Sequence, residues 1–176
     1  MKEIIQTIKS RRSVRRYLST PVPEELLATV LEAGTYAPTG RNLQSPCIVA
    51  VEDANMRDKL SQMNASIMGT QSDPFYGAPV VLVVFADTSV PTWQEDGSLV
   101  MGNLLLAAHA VGLGSCWIHR AREMFKSPEG IALKKQWGIP DSFEGIGNCI
   151  LGYADEVPPL RPRKENYIIR VNRVGG

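Results

Sequence analysis

The chain predicts an α+β fold built on a mixed sheet flanked by helices. Segments of period 3.6 and short apolar runs alternate along its whole length, with no internal repeat and no linker-like stretch. One apolar run, Pro79–Phe85, reads as a strand buried on both faces. A later stretch, 96–111, is apolar almost all round, which fits a helix enclosed in a core or an interface. The 176 residues match one domain, 1–176, by the usual range of about 100–200 residues per domain.

The elements follow in order. Ile4, Ile5 and Ile8 sit at helical spacing and predict a short helix over 3–10. Pro21 and Pro23 interrupt, and Pro23 suits the start of a helix over 23–34 with Leu26, Leu27, Val30 and Leu31 inward. The turn formers of Gly34–Asn42 predict a loop. Cys47–Val51 predicts a strand, 53–66 a helix, and 69–78 a loop rich in Gly, Pro and Asp. The 96–111 helix stops at Gly112-Leu-Gly114. Ser115–Ile118 predicts a strand, and Ser127-Pro128 opens a helix to about Trp137. Gly147–Tyr153 and the alternating Tyr167–Val171 predict two more strands.

Composition excludes several classes. Apolar residues make up 44% and charged residues 21%, which is ordinary for a globular protein. Net charge is +1, so bulk charge favours no partner, and nucleic acid is not expected. The basic residues are nevertheless clustered. Lys9, Arg11, Arg12, Arg15 and Arg16 fall within eight residues, and Arg161, Arg163, Lys164, Arg170 and Arg173 fall near the other end. Cys47, Cys116 and Cys149 are far apart and only His109 and His119 are present, so no zinc-type pairing of ligands exists. Free thiols fit a reducing compartment, and the N-terminus lacks a signal-peptide core; a cytoplasmic protein with no membrane span is expected.

The motifs narrow the chemistry. Arg11-Arg12-Ser13-Val14-Arg15 gathers forked guanidinium donors and a hydroxyl, the groups that bind a phosphate monoester. Pro38–Gln44 is a polar loop able to set amides around a heterocycle. Gly112-Leu-Gly114 and Gly145-Ile-Gly147 lack the third glycine of a dinucleotide fingerprint, and the first runs from helix to strand. There is no GxSxG, and His109 reads as a core histidine, so hydrolase chemistry finds no support.

Together these pieces resemble the nitroreductase family of flavoenzymes. The resemblance covers about residues 4–173. It rests on RRSVRRY at 11–17, EAGTYAPTGRNLQSP at 32–46, GAPVVLVVFAD at 77–87, DGSLVMGNLLLAAHAVGLGSCWI at 96–118, LGYAD at 151–155 and PRKENY at 162–167. It implies a three-layer sandwich and an intertwined homodimer with FMN at the interface. Arg11, Arg12, Ser13 and Arg15 would hold the phosphate, the ribityl chain or the pyrimidine edge. Arg163 would join them, with Arg161 or Lys164. Pro38, Thr39, Gly40 and Asn42 of the second subunit would line the ring. Trp117, Ile118, His119 and Arg120 would pass its reactive nitrogen, and Asn64 and Gln71 both stay open as a further contact.

The family's chemistry needs no catalytic side chain, because the cofactor performs the hydride transfer. NAD(P)H and then an electron-poor acceptor, a nitroaromatic or a quinone, would use one place in turn. Two features depart from the family pattern. Thr39 stands where Ser is common, and Gln44-Ser-Pro-Cys47 lacks a following aromatic. The segment that often caps the site is nearly absent, which predicts an open site. A flavin-storage protein without turnover is the alternative, and a nucleic-acid-binding role for the basic clusters is a remote second one. Because one fold hosts several reactions, the fold alone does not fix the acceptor.

Overall fold

The computed structural model describes residues 3–171. Helices α1 (Glu3–Ser10) and α2 (Glu24–Thr35) precede a 3-10 turn at Gly40–Asn42. Strand β1 (Pro46–Val51), α3 (Ala54–Met68), β2 (Val80–Asp87), α4 (Trp93–Ala110) and β3 (Gly114–Ile118) follow. The described elements end with α5 (Ala121–Lys126), α6 (Pro128–Gln136) and β4 (Phe143–Gly152).

The strands lie in the order β1-β2-β4-β3, each pair antiparallel. The parallel component expected of a mixed sheet is a single bridge, Ser13 to Ser115. Alternation along β2 explains the layers. Val81, Val83 and Phe85 face α3, α5 and α6, where Leu60, Met124, Phe125 and Leu133 pack. Val80, Leu82 and Val84 face α2 and α4, where Leu27, Val30, Met101 and Leu104 pack. β2 is buried on both sides, so the fold is a three-layer sandwich. Two of the expected helix starts have the caps that specify them. Asp53 accepts from the Met56 N–H at 2.8 Å at the head of α3, and Ser127 accepts from the Gly130 N–H at 3.1 Å before Pro128.

Four details differ from the sequence reading. α5 lies in a stretch read as a connection. α4 starts at Trp93 and β4 at Phe143, both earlier than the apolar pattern suggested. Tyr167–Val171 is not a strand. Alternation supplies strand potential, but a strand needs an edge to pair with, and this segment has no ladder partner among the described residues. Tyr167, Ile168, Ile169 and Val171 are all 75% exposed or more. Arg173 lies outside the described residues. Among those residues, no helix is long and apolar enough to cross a membrane.

Candidate functional site

The first basic cluster forms a turn stitched to the end of the sheet. α1 stops at Ser10, and the chain then runs along β3: the Val14 N–H donates to the Ser115 carbonyl at 3.0 Å. Further on, the Leu18 N–H donates to the Tyr153 carbonyl and the Asp155 N–H to the Arg16 carbonyl, both at 2.9 Å. The Arg15 N–H donates to Glu156 Oε1 at 2.6 Å, which leaves the Arg15 side chain exposed. Arg12 Nη1 donates to the carbonyls of Lys9 and Arg11 at 2.9 and 2.6 Å. Arg11 Nη1 and Arg12 Nε, in contrast, are buried with no hydrogen-bond partner among the described residues. Each is a cationic donor that costs about 1–3 kcal/mol while unmade.

A cavity of about 300 Å³ opens here, lined by Ser10, Arg12, His109, Ser115 and Glu156 among others. His109 Nε2 lies 2.8 Å from Ser10 Oγ. Burial, and then the charges of Arg11 and Arg12, hold its pKa below the usual histidine value. His109 is half-buried and lines the cavity, so it is not the core histidine read from sequence. The C-terminal basic residues are placed differently. Arg161, Arg163 and Lys164 are exposed on an extended segment and make no ion pair among the described residues. Among the described residues, no side-chain hydrogen bond or ion pair joins them to the 11–16 turn.

The 38–45 loop is held by Asp96, a residue that the motifs do not single out. Its carboxylate, 2% exposed on α4, accepts from the Gly40 N–H at 2.9 Å, Thr92 Oγ1 at 3.1 Å and Ser45 Oγ at 3.2 Å. Thr39 Oγ1 accepts from the Gln44 N–H at 3.0 Å. Arg41, Asn42 and Gln44 have φ of 52°, 56° and 51°, a left-handed conformation that non-glycine residues seldom adopt. Each such residue costs about 1–3 kcal/mol, strain that the surrounding structure must hold. Gly40 has no room for a Cβ, which would strike the Thr92 hydroxyl. Pro38 and Asn42 stay exposed. Beneath the loop lies a cavity of about 400 Å³ lined by Leu31, Thr39, Gln44, Cys47 and Val100 among others. Burial pushes the Cys47 thiol up to about 11, so it is a neutral wall rather than a nucleophile.

The third segment leaves β3. Trp117 is half-buried over Gly147, where a Cβ would collide with its indole. Ile118 is buried, and His119 is exposed. Arg120, with φ 77°, turns the chain into α5. Trp117 and His119 line a cavity of about 240 Å³ with Gln94, Ser98, Arg122 and Ile146. The Arg122 guanidinium lies 4.8 Å from the Trp93 ring centre and 3.2 Å from Glu144. Asn64 is fully buried, with its amide on the His119 carbonyl at 2.7 Å. Of the two residues left open as a further contact, Asn64 is thus the one enclosed in the core. Gln71 is exposed on the edge of a polar groove with Ser61 and Asp73. Asp96, Asn148 and Arg122 are the site residues that motif reading missed. An acid at the head of an otherwise apolar helix was the available signal for the first.

A three-layer α+β sandwich with an arginine-serine turn against its sheet edge and a strained polar loop defines a class of protein. The family model "Nitroreductase family" matches residues 8–73 and 66–153. The chain belongs to that family. It is similar to a solved nitroreductase with bound FMN from Bacteroides fragilis, with a TM-score of 0.90 and 26% identity, over 98% of this chain and 100% of the other. It is 29% identical to an iodotyrosine deiodinase from Thermotoga neapolitana, over 98% and 99% of the two chains. It is also 27% identical to an NADPH-flavin oxidoreductase from Vibrio harveyi, over 96% of this chain and 73% of the relative.

Proposed function

We propose that this chain is an FMN-dependent oxidoreductase, acting as a homodimer with FMN at the interface. When bound, FMN would supply the redox chemistry, a ping-pong hydride transfer from NAD(P)H to an electron-poor acceptor such as a nitroaromatic or a quinone. The observation that carries this reading is the pair of buried, partnerless guanidinium nitrogens on Arg11 and Arg12. A phosphate monoester offers several anionic oxygens, which match such donors better than a neutral ligand does.

The residues divide the work. Arg11, Arg12, Ser13 and Arg15 bind the phosphate and ribityl chain. Arg163, with Arg161 or Lys164, adds charge once the exposed tail is seated in the dimer. Pro38, Thr39, Gly40 and Asn42 of the second subunit wall the ring, on a loop fixed by its own Asp96. Trp117, Ile118, His119 and Arg120 present backbone along the ring's edge.

Exposed apolar side chains support the dimer. Ile4, Ile5 and Ile8 on α1 are 64%, 43% and 50% exposed, and Leu99 on α4 is 46% exposed. Tyr167, Ile168 and Ile169 are exposed as well, and a second subunit would cover such apolar side chains.

Steady-state oxidation of NADH or NADPH by the FMN-loaded protein, with and without added quinone, tests the activity. Turnover that rises with quinone and gives parallel double-reciprocal lines is expected. Retained flavin with no turnover would identify a storage protein instead.

A further inference from the structure

Two buried carboxamides converge on one backbone carbonyl. Asn64 of α3 and Asn148 of β4 are both 0% exposed. Asn64 Nδ2 donates to the His119 carbonyl at 2.7 Å. Asn148 Nδ2 reaches the carbonyls of Ile118 and His119 at 3.4 and 3.5 Å. The one other contact of each amide is the Met124 sulfur, at 3.3 and 3.6 Å. Both Oδ1 atoms lack a partner. A core closed by leucines would avoid two orphaned oxygens. What the pair has in common is the carbonyl it holds.

That carbonyl has a second end. The His119–Arg120 peptide is trans, so its N–H points opposite to its C=O. Holding the oxygen inward therefore turns the Arg120 N–H outward. The preceding residue, His119, lines the 240 Å³ cavity, and the Arg120 N–H donates to no acceptor among the described residues. Arg120 is left-handed at φ 77°, so this orientation is imposed by its surroundings and is not the chain's own preference.

We infer that Asn64 and Asn148 are positioning residues that hold the His119–Arg120 peptide so that the Arg120 N–H is a fixed donor to the flavin ring. This rests on the flavin reading above. Directed at a ring carbonyl oxygen, where electron density gathers on reduction, a donor oriented in advance would need no reorganisation and would favour the reduced over the oxidised cofactor. Neither asparagine touches the ring; both act through the peptide.

The test compares oxidised and reduced FMN affinities, from binding titrations and the midpoint potential, in wild type, Asn64→Leu, Asn148→Leu and the double variant. Leucine keeps the volume, removes the donor and removes the orphaned oxygen. The expected result for Asn64→Leu is reduced FMN weakened at least fivefold relative to oxidised FMN. Asn148→Leu should show a smaller change, and the double variant less than the product of the two, because both act on one carbonyl. Thermal unfolding midpoints recorded alongside separate a structural role, which moves stability and leaves the affinity ratio alone. A wild-type ratio in flavin-loaded Asn64→Leu overturns the inference. Should that variant not fold, a wild-type ratio in flavin-loaded Asn148→Leu overturns it equally. Wild-type protein that takes up no FMN sinks the flavin reading itself, an outcome distinct from both.

Discussion

The carboxylate of Asp96 on α4 accepts the Gly40 N–H at 2.9 Å, tying the central helix to a loop 56 residues earlier in the chain. Ser45 and Thr92 donate to the same carboxylate, so one buried acid fixes the loop's middle and its end. Replacing it with alanine leaves a buried serine hydroxyl and a backbone N–H unmade. Asp96→Ala should lose about 3 kcal/mol of stability, read as a lower urea midpoint at unchanged slope. A loss below about 0.5 kcal/mol would show that the loop holds its shape without Asp96.

The basic turn gives a binding prediction. Each charge-assisted hydrogen bond to a phosphate is worth roughly 1.5–3 kcal/mol. Changing both Arg11 and Arg15 to alanine should therefore weaken FMN binding by about a hundredfold or more, measured by flavin fluorescence. Unchanged retention in the double variant would show that this turn is not the phosphate site.

Asp73 gives a pH prediction. Burial disfavours its charge, but donors from Arg57, Ser61 and the Gly77 and Phe75 N–H groups outweigh burial and leave its pKa below the usual carboxylate value. A group whose pKa falls on folding stabilises the fold above its unfolded pKa, and that contribution is lost as pH drops through the folded value. Stability should therefore decline as pH falls below about 3.9. Asp73→Asn should be less stable by about 2 kcal/mol at neutral pH, having lost charged hydrogen bonds. Its stability should also depend less on pH in the acid range, as followed by denaturant melts from neutral pH down to about pH 3.

The dimer is tested at α1 and α4. Ile4 and Leu99 are exposed in the single chain, and burying each side chain stabilises association by roughly 1.5–3 kcal/mol. The double change Ile4→Lys, Leu99→Glu should raise the dimer dissociation constant about a hundredfold or more. Sedimentation velocity should then show monomer, with loss of FMN alongside. A variant that remains dimeric would place the interface elsewhere.

Much of the fold was legible because its signals are local. Pro23, Asp53 and Ser127-Pro128 mark helix starts, and the apolar run before Phe85 marks the central strand. What stayed hidden depends on contacts distant in sequence. Asn148 takes its role from partners on other elements, and no period or spacing announces it; Asp96 offered only its place at the head of an apolar helix, and Asn64 only an open choice with Gln71. The Tyr167–Val171 pattern misled for a related reason. Alternation reports what a segment can bury, and this segment meets no sheet edge among the described residues. The first basic cluster was legible as a group of anion donors, because guanidinium and hydroxyl groups at close spacing state their chemistry directly. The expected meeting of the two clusters belongs to the proposed dimer.

The most direct test is the absorption spectrum of the purified protein, followed by identification of the chromophore released on denaturation. A yellow protein that releases FMN, at one per chain in a dimer, and bleaches anaerobically with NADH or NADPH is the expected result. A colourless protein that cannot be reconstituted with FMN would contradict the account.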